Sequence, residues 1–137
     1  MASIFELEQP VFGRMNASIE LVAASDEATT LTAAQSVNSL VVMTPTDARN
    51  VTTATAAAIV AELGSGVRVG TTFRIILRNQ AAATYAMTLV GGTGVTLDAD
   101  NTNTAAAAST REFIGRVTAI ASGSETVTVY SMPSGTH

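Results

Sequence analysis

The chain has no cysteine, no lysine and no tryptophan, and its one histidine is His137. Without cysteine, disulfides, thiolate nucleophiles and cysteine-type metal sites are all excluded together. With histidine confined to position 137, no Ser/His/Asp arrangement is expected. Aromatic residues are 4% of the chain, too few for the ring platforms on which sugars stack, which disfavours a lectin or a carbohydrate-active enzyme. Charged residues amount to 13%, against about 25% in ordinary soluble proteins. Seven arginines oppose eleven acids for a net charge of −4, and no window gathers enough positive charge to neutralise phosphates, so nucleic acid is not an expected partner. No window approaches the apolar length of a membrane span, and Glu6 and Glu8 stand where a secretory signal would be basic and then apolar, so neither a membrane nor an export signal is expected.

What takes the place of charge is threonine, serine, asparagine and alanine. A surface of hydroxyls and amides can meet another protein without stripping water from ions, whereas a buried unmatched charge is costly. Composition therefore points to protein contact rather than to chemistry. At 137 residues the chain suits one domain, burying roughly two-thirds of its extended surface. Two parts are distinguished: an N-terminal arm, 1–17, and a body, 18–137. The arm concentrates Ile4, Phe5, Leu7, Val11 and Phe12, followed by Gly13 and Asn16. Such apolar surface needs a cover, so the arm is expected either to dock on a partner or to form a first strand of its own domain.

The body is a series of short alternating Thr- and Val-rich runs. Ile19–Ala23 reads as a short strand, with a polar turn at Ser25, Asp26 and Glu27. Leu40–Met43 reads as a buried apolar block stopped by Pro45. Ala54–Leu63 is the one expected helix, rich in alanine and followed by Gly64 where a left-handed cap belongs. In Thr71–Asn79 the residues Phe73, Ile75 and Leu77 alternate with Arg74, Ile76 and Arg78, the two-residue period of a half-buried strand. Met87 and Leu89, Val95 and Leu97, Phe113–Ile120, and Val127 and Val129 continue the pattern. Closely spaced strands with turns between them predict a mainly β fold, an antiparallel β-sandwich or jelly-roll-like domain with one short helix.

Four motifs invite chemistry and do not carry it. The loop Gly64–Gly70 has its third glycine one place too late for a nucleotide loop and runs from helix into strand. Asp98, Asp100, Asn101 and Asn103 put four oxygen donors close together, but Asn103 and Ser109 occupy the positions where a calcium hand needs glycine and glutamate. Glu112 and Glu125 fall on neighbouring expected strands as a carboxylate pair, an arrangement common on surfaces. Asn16-Ala17-Ser18 and Asn50-Val51-Thr52 are sequons of the kind chance produces in a Thr/Ser-rich chain. No cofactor and no metal is expected, and the chain is not read as an enzyme.

From Arg49 onward the order of pieces is RNVTTATAAAIVAEL, VGTTFRIILRNQAAATYAMTLVGGTGVTL, an Ala/Asn-rich bridge, STREFIGRV and ETVTVYSM. This order resembles a β-rich module of tailed-bacteriophage virion proteins, especially capsid decoration (cement) and head-fibre proteins. The resemblance implies a homotrimeric structural protein on the outer surface of the capsid, bridging major capsid subunits and stabilising the shell. A fibre or receptor-binding tip domain is the alternative that shares the module. Under this reading Ile4, Phe5, Leu7, Val11 and Phe12 are the candidate capsid-docking arm. Arg74, Ile76 and Arg78 are the candidate trimer surface.

Overall fold

The computed structural model describes residues 18–98 and 102–137. In chain order the elements are β1 (Glu20–Ala23), β2 (Thr29–Thr30), α1 (Ala33–Ser36), β3 (Ser39–Met43), β4 (Arg49–Thr52), α2 (Ala56–Leu63) and β5 (Thr72–Asn79). They continue with β6 (Met87–Val90), β7 (Val95–Leu97), β8 (Thr104–Ala105), β9 (Ser109–Ala119), β10 (Thr126–Ser131) and β11 (Gly135–Thr136). Sheet A has the order β1-β3-β5-β9-β10-β7, with β11 beside β9, and sheet B has the order β2-β4-β6-β8. The fold is mainly β, and the inner faces of the two sheets close on one core.

The sense of strand pairing corrects the expectation of an antiparallel sandwich. β1, β3 and β5 run parallel, as do β2, β4 and β6, and β7 runs parallel to β10. Antiparallel pairing is confined to β5 with β9, β9 with β10 and β11, and β6 with β8. The cause is where the turns lead. From β1 the chain crosses to β2 in the other sheet, returns through α1 to β3, crosses again to β4, and returns through α2 to β5. Strands that are neighbours in sequence therefore lie in different sheets and never form hairpins. A parallel pair needs a long connection, and here the connection is a strand of the opposite sheet plus a short helix, so one long helix per crossover is unnecessary.

This winding repeats a unit that the sequence carries twice: strand, polar turn, strand, then a threonine-capped helix. Thr32 caps α1, its hydroxyl accepting from Gln35 N while the Gln35 side chain accepts from Thr32 N. Thr55 caps α2 by accepting from Ala58 N. These bonds satisfy donors that a helix start leaves open. α2 ends at Gly64, whose φ of 86° is positive as expected but whose ψ of −173° is extended, so the cap is not left-handed helical. α1 and α2 pack side by side and close the third side of the coil. On the third pass the helix is replaced by Gly91–Gly94, because the chain runs against the α2 entry: a Cβ on Gly92 would stand 2.6 Å from the carbonyl oxygens of Thr53 and Ala54. Gly92 N instead donates to the buried Thr53 hydroxyl at 2.9 Å.

Inside, alternation holds on every long strand. Val41 and Met43 of β3, Phe73, Ile75 and Leu77 of β5, Phe113 and Val117 of β9, and Val127 and Val129 of β10 face Val51, Met87 and Leu89 of sheet B. Two of the larger polar side chains that turn inward near the sheet ends are bonded to backbone. Asn79 donates to Tyr85 O and Ala105 O and accepts from Ala81 N. Arg111, 7% exposed, donates to Thr104 O at 2.8 Å and Met132 O at 2.6 Å, joining the two sheets.

Phe73 reaches full burial, 2% exposed, by lying over Gly115, its partner in the β5–β9 register. A Cβ at Gly115 would meet ring atoms of Phe73 at 2.2 Å, so the ring occupies the space any side chain there would need. Gly115→Ala is therefore expected to destabilise the protein by about 1–3 kcal/mol through overpacking. Urea unfolding measures it, and in a Phe73→Leu background the cost of Gly115→Ala should fall by more than half, because the clashing atoms are gone.

Candidate protein-interaction face

β5 lies at the centre of sheet A, parallel to β3 on one side and antiparallel to β9 on the other. Its outward residues are Arg74, Ile76 and Arg78, as the alternation predicts. Register sets what stands beside each. Ile76 lies between Leu40 of β3 and Glu112 of β9, with Leu21 of β1 beyond Leu40. Arg78 has Val42 on one side and Thr110 on the other. Arg74 has Ile114 of β9 beside it and Tyr130 of β10 beyond.

The result is a diagonal of apolar side chains across the outside of the sheet, with Leu21, Leu40 and Ile76 on one side of the Arg74–Glu112 ion pair and Ile114 and Tyr130 on the other. Leu21 is 67% exposed and Tyr130 39%, while Leu40, Ile76 and Ile114 are half-buried. Isolated exposed apolar residues are ordinary; a connected row of them marks a surface for contact. Sequence reasoning found Arg74, Ile76 and Arg78 but not their companions. The apolar run predicts Leu40–Met43 as one buried block, whereas Val41 and Met43 are buried and Leu40 and Val42 face out.

Charge on this face is of one sign in excess. Arg74 is held by Glu112, Nε to Oε2 at 2.8 Å and Nη2 to Oε2 at 2.5 Å. Arg78 and Arg116 form no ion pair among the described residues. The face thus carries three arginines and one glutamate, and the rest of the described residues carry seven carboxylates and three arginines. Positive charge is gathered on the apolar sheet and negative charge elsewhere.

A second cluster lies at the turns bordering the face. Asp26, in the β1–β2 turn, accepts from Arg49 Nε at 2.8 Å, from Thr46 N at 3.1 Å and from the Thr46 hydroxyl. These bonds tie the first coil to the second. The Arg49 guanidinium first, then the two Thr46 donors, hold the Asp26 carboxyl well below the usual aspartate range. Nothing in the sequence marks this contact, since its partners come from successive turns that only parallel stacking brings together.

The other motifs fall out as follows. Gly64–Gly70 connects α2 to β5, as read. Glu112 and Glu125 are not opposite each other: Glu112 lies beside Met132, beyond one end of β10, and Glu125 precedes Thr126 at the other. Asp100, Asn101 and the arm residues Ile4, Phe5, Leu7, Val11 and Phe12 lie outside the described residues. Among the described residues no group of three His, Cys, Asp or Glu is placed to hold a metal ion, and no helix is long and apolar enough to cross a membrane. Searches of protein-family models, curated proteins and solved structures find no match to the chain.

The depressed Asp26 gives a pH test. A carboxylate whose folded pKa lies below its unfolded value of about 3.9 adds stability above that pH and loses it as pH falls through the folded value. Asp26→Asn should therefore lower the Tm at pH 7, and the gap to the unmodified protein should narrow steadily below about pH 4. Thermal unfolding at a series of pH values checks this; a gap that stayed constant down to pH 2 would show that Asp26 acts through packing and not through its charge.

Proposed function

We propose that this chain is a structural assembly protein that works through its outer sheet face, and that its setting is the outside of a tailed-phage head. There it decorates and stabilises the shell by bridging major capsid subunits. The observation that carries the reading is the apolar diagonal Leu21–Leu40–Ile76–Ile114–Tyr130 flanked by arginines, mounted on a sheet whose other face is packed into the core. A rigid sheet offers such a surface already ordered, so little conformational entropy is lost on contact. The phage setting comes from the order of sequence pieces from Arg49 onward and is supported by that resemblance alone.

The mechanism follows from multivalency. A subunit or small oligomer touching several shell proteins makes the later contacts at high effective concentration once the first has formed. Each contact can be weak while the whole is strong. Clamped neighbours then separate only if several contacts break together. The N-terminal residues Ile4, Phe5, Leu7, Val11 and Phe12 supply a second apolar element for shell docking.

Quantitative proteomics of purified virions tests the reading through copy number. A decoration protein is expected on the order of hundreds of copies per particle, in fixed ratio to the major capsid protein, as shell symmetry dictates. A few tens at most would favour the fibre or receptor-binding tip, as an order-of-magnitude expectation from symmetric assembly. Absence from particles would overturn both. Removing residues 1–12 is expected to reduce retention on particles washed in high salt, and unchanged retention would remove the arm from the mechanism.

A further inference from the structure

We propose that the outer face of β5 and β9 is built to hold two identical segments of a partner protein at once, related by a two-fold axis, each offering an apolar side chain and a carboxylate. This names the partner chemistry of the face used above and rests on the assembly reading for the protein that supplies the segments.

The outward pattern occurs twice. On β5 it is Thr72, Arg74, Ile76 and Arg78, and on β9 it is Thr110, Glu112, Ile114 and Arg116, the same order with one change. The two strands are antiparallel with Ile75 opposite Phe113, so a two-fold axis perpendicular to the sheet passes between that pair. Rotation about it carries Thr72 onto Thr110, Ile76 onto Ile114 and Arg78 onto Arg116. The flanking strands keep the match: Leu40 of β3 stands beside Ile76, and Tyr130 of β10 stands beside Ile114. Each half therefore holds two apolar side chains with an arginine two residues further along its strand. Neither Arg78 nor Arg116 has a carboxylate partner among the described residues.

The one departure falls where symmetry would be costly. Arg74 and Glu112 occupy exchanged positions beside the axis and meet there, Nε to Oε2 at 2.8 Å, where two like charges would repel. The centre is thus neutral, and the demand for carboxylates is left at the two ends. Arg116 stands opposite Thr72, six residues from Arg78 along β5, which separates the two cations by about 20 Å at about 3.3 Å per residue. The axis reverses chain direction, so one extended segment that fits the first half meets the second backwards. Two identical segments running in opposite directions fit both. A second copy of this chain laid face to face would instead oppose two surfaces that both carry excess arginine.

Shells purified from virions lacking this chain, titrated with the full chain, test the proposal. Arg78→Glu and Arg116→Glu are each expected to weaken binding about tenfold, equal within a factor of about two, and together about a hundredfold, because sites so far apart act independently. Arg78→Gln and Arg116→Gln, which remove charge without reversing it, should show smaller losses with the same equality, and circular dichroism checks that every variant is folded. In images of decorated shells the face is expected over an axis relating two copies of one shell protein.

Unequal losses, or a face seated on a single shell subunit, would overturn the two-segment proposal and leave the assembly reading standing. A dimer in solution that Arg116→Glu abolishes would overturn it in favour of a second copy of this chain. Shells that bind no chain at all would overturn the assembly reading, and this proposal with it.

Discussion

The register in which β5 lies between β3 and β9 decides which side chains the molecule keeps and which it shows. Phe73, Ile75 and Leu77 enter the core only because Gly115 leaves room for the first and because Phe113 and Val41 stand opposite the others. A slip of one residue would send all three to solvent and drive Arg74 and Arg78 inside, which unpaired guanidiniums do not tolerate. The inside of β5 therefore fixes its outside. The apolar diagonal on the outer face is a consequence of core packing in four other strands, each held to β5 directly or through one neighbour.

Stacked coils bring a second demand, since every turn between the sheets must satisfy its own backbone. Buried polar side chains meet much of it, three of them across long stretches of chain. Thr53 joins the end of β4 to the glycine turn after β6, Asn79 gathers the β5–β6 turn and β8, and Arg111 links Thr104 to Met132. Each bonds to main chain at a place where the strand ladders stop. A buried arginine without a carboxylate is costly unless it is hydrogen-bonded, and two short bonds to carbonyls at the sheet junction occupy two of its five donors. The price of low charge is thus met by a few polar groups whose positions are exact to the fold, while threonine and alanine fill the rest.

Much of this was legible in the sequence. Alternation locates β5, β9 and β10, the alanines and Gly64 predict a helix over Ala54–Leu63 that forms over Ala56–Leu63 behind the Thr55 cap, and period two places Arg74, Ile76 and Arg78 outward. What the residues did not disclose was pairing. A short polar turn such as Ser25–Glu27 can close a hairpin or carry the chain to another sheet, and local chemistry is the same in both cases. Leu31-Thr32-Ala33-Ala34 and Ala54-Thr55-Ala56-Ala57 are the trace of the repeat that would have decided it, each a threonine cap opening a return helix. Without pairing, Leu21, Leu40, Ile114 and Tyr130 could not be assigned to one surface, and the Asp26–Arg49 contact had no visible partner.

The separation of charge then bears on how such a surface avoids indiscriminate sticking. A connected apolar row on an open sheet is an aggregation hazard when nothing selects its partner. Arg78 and Arg116 flank the row and are not neutralised by a carboxylate of the described fold, so any partner that covers the row must also supply negative charge or leave cations stripped of water. That requirement excludes most apolar surfaces and admits those edged with carboxylates. The Arg74–Glu112 pair crosses the face between Ile76 and Ile114, so one guanidinium is already matched within the sheet while Arg78 and Arg116 are not. On the assembly reading proposed above, specificity comes from what the arginines refuse as much as from what the leucines and isoleucines attract.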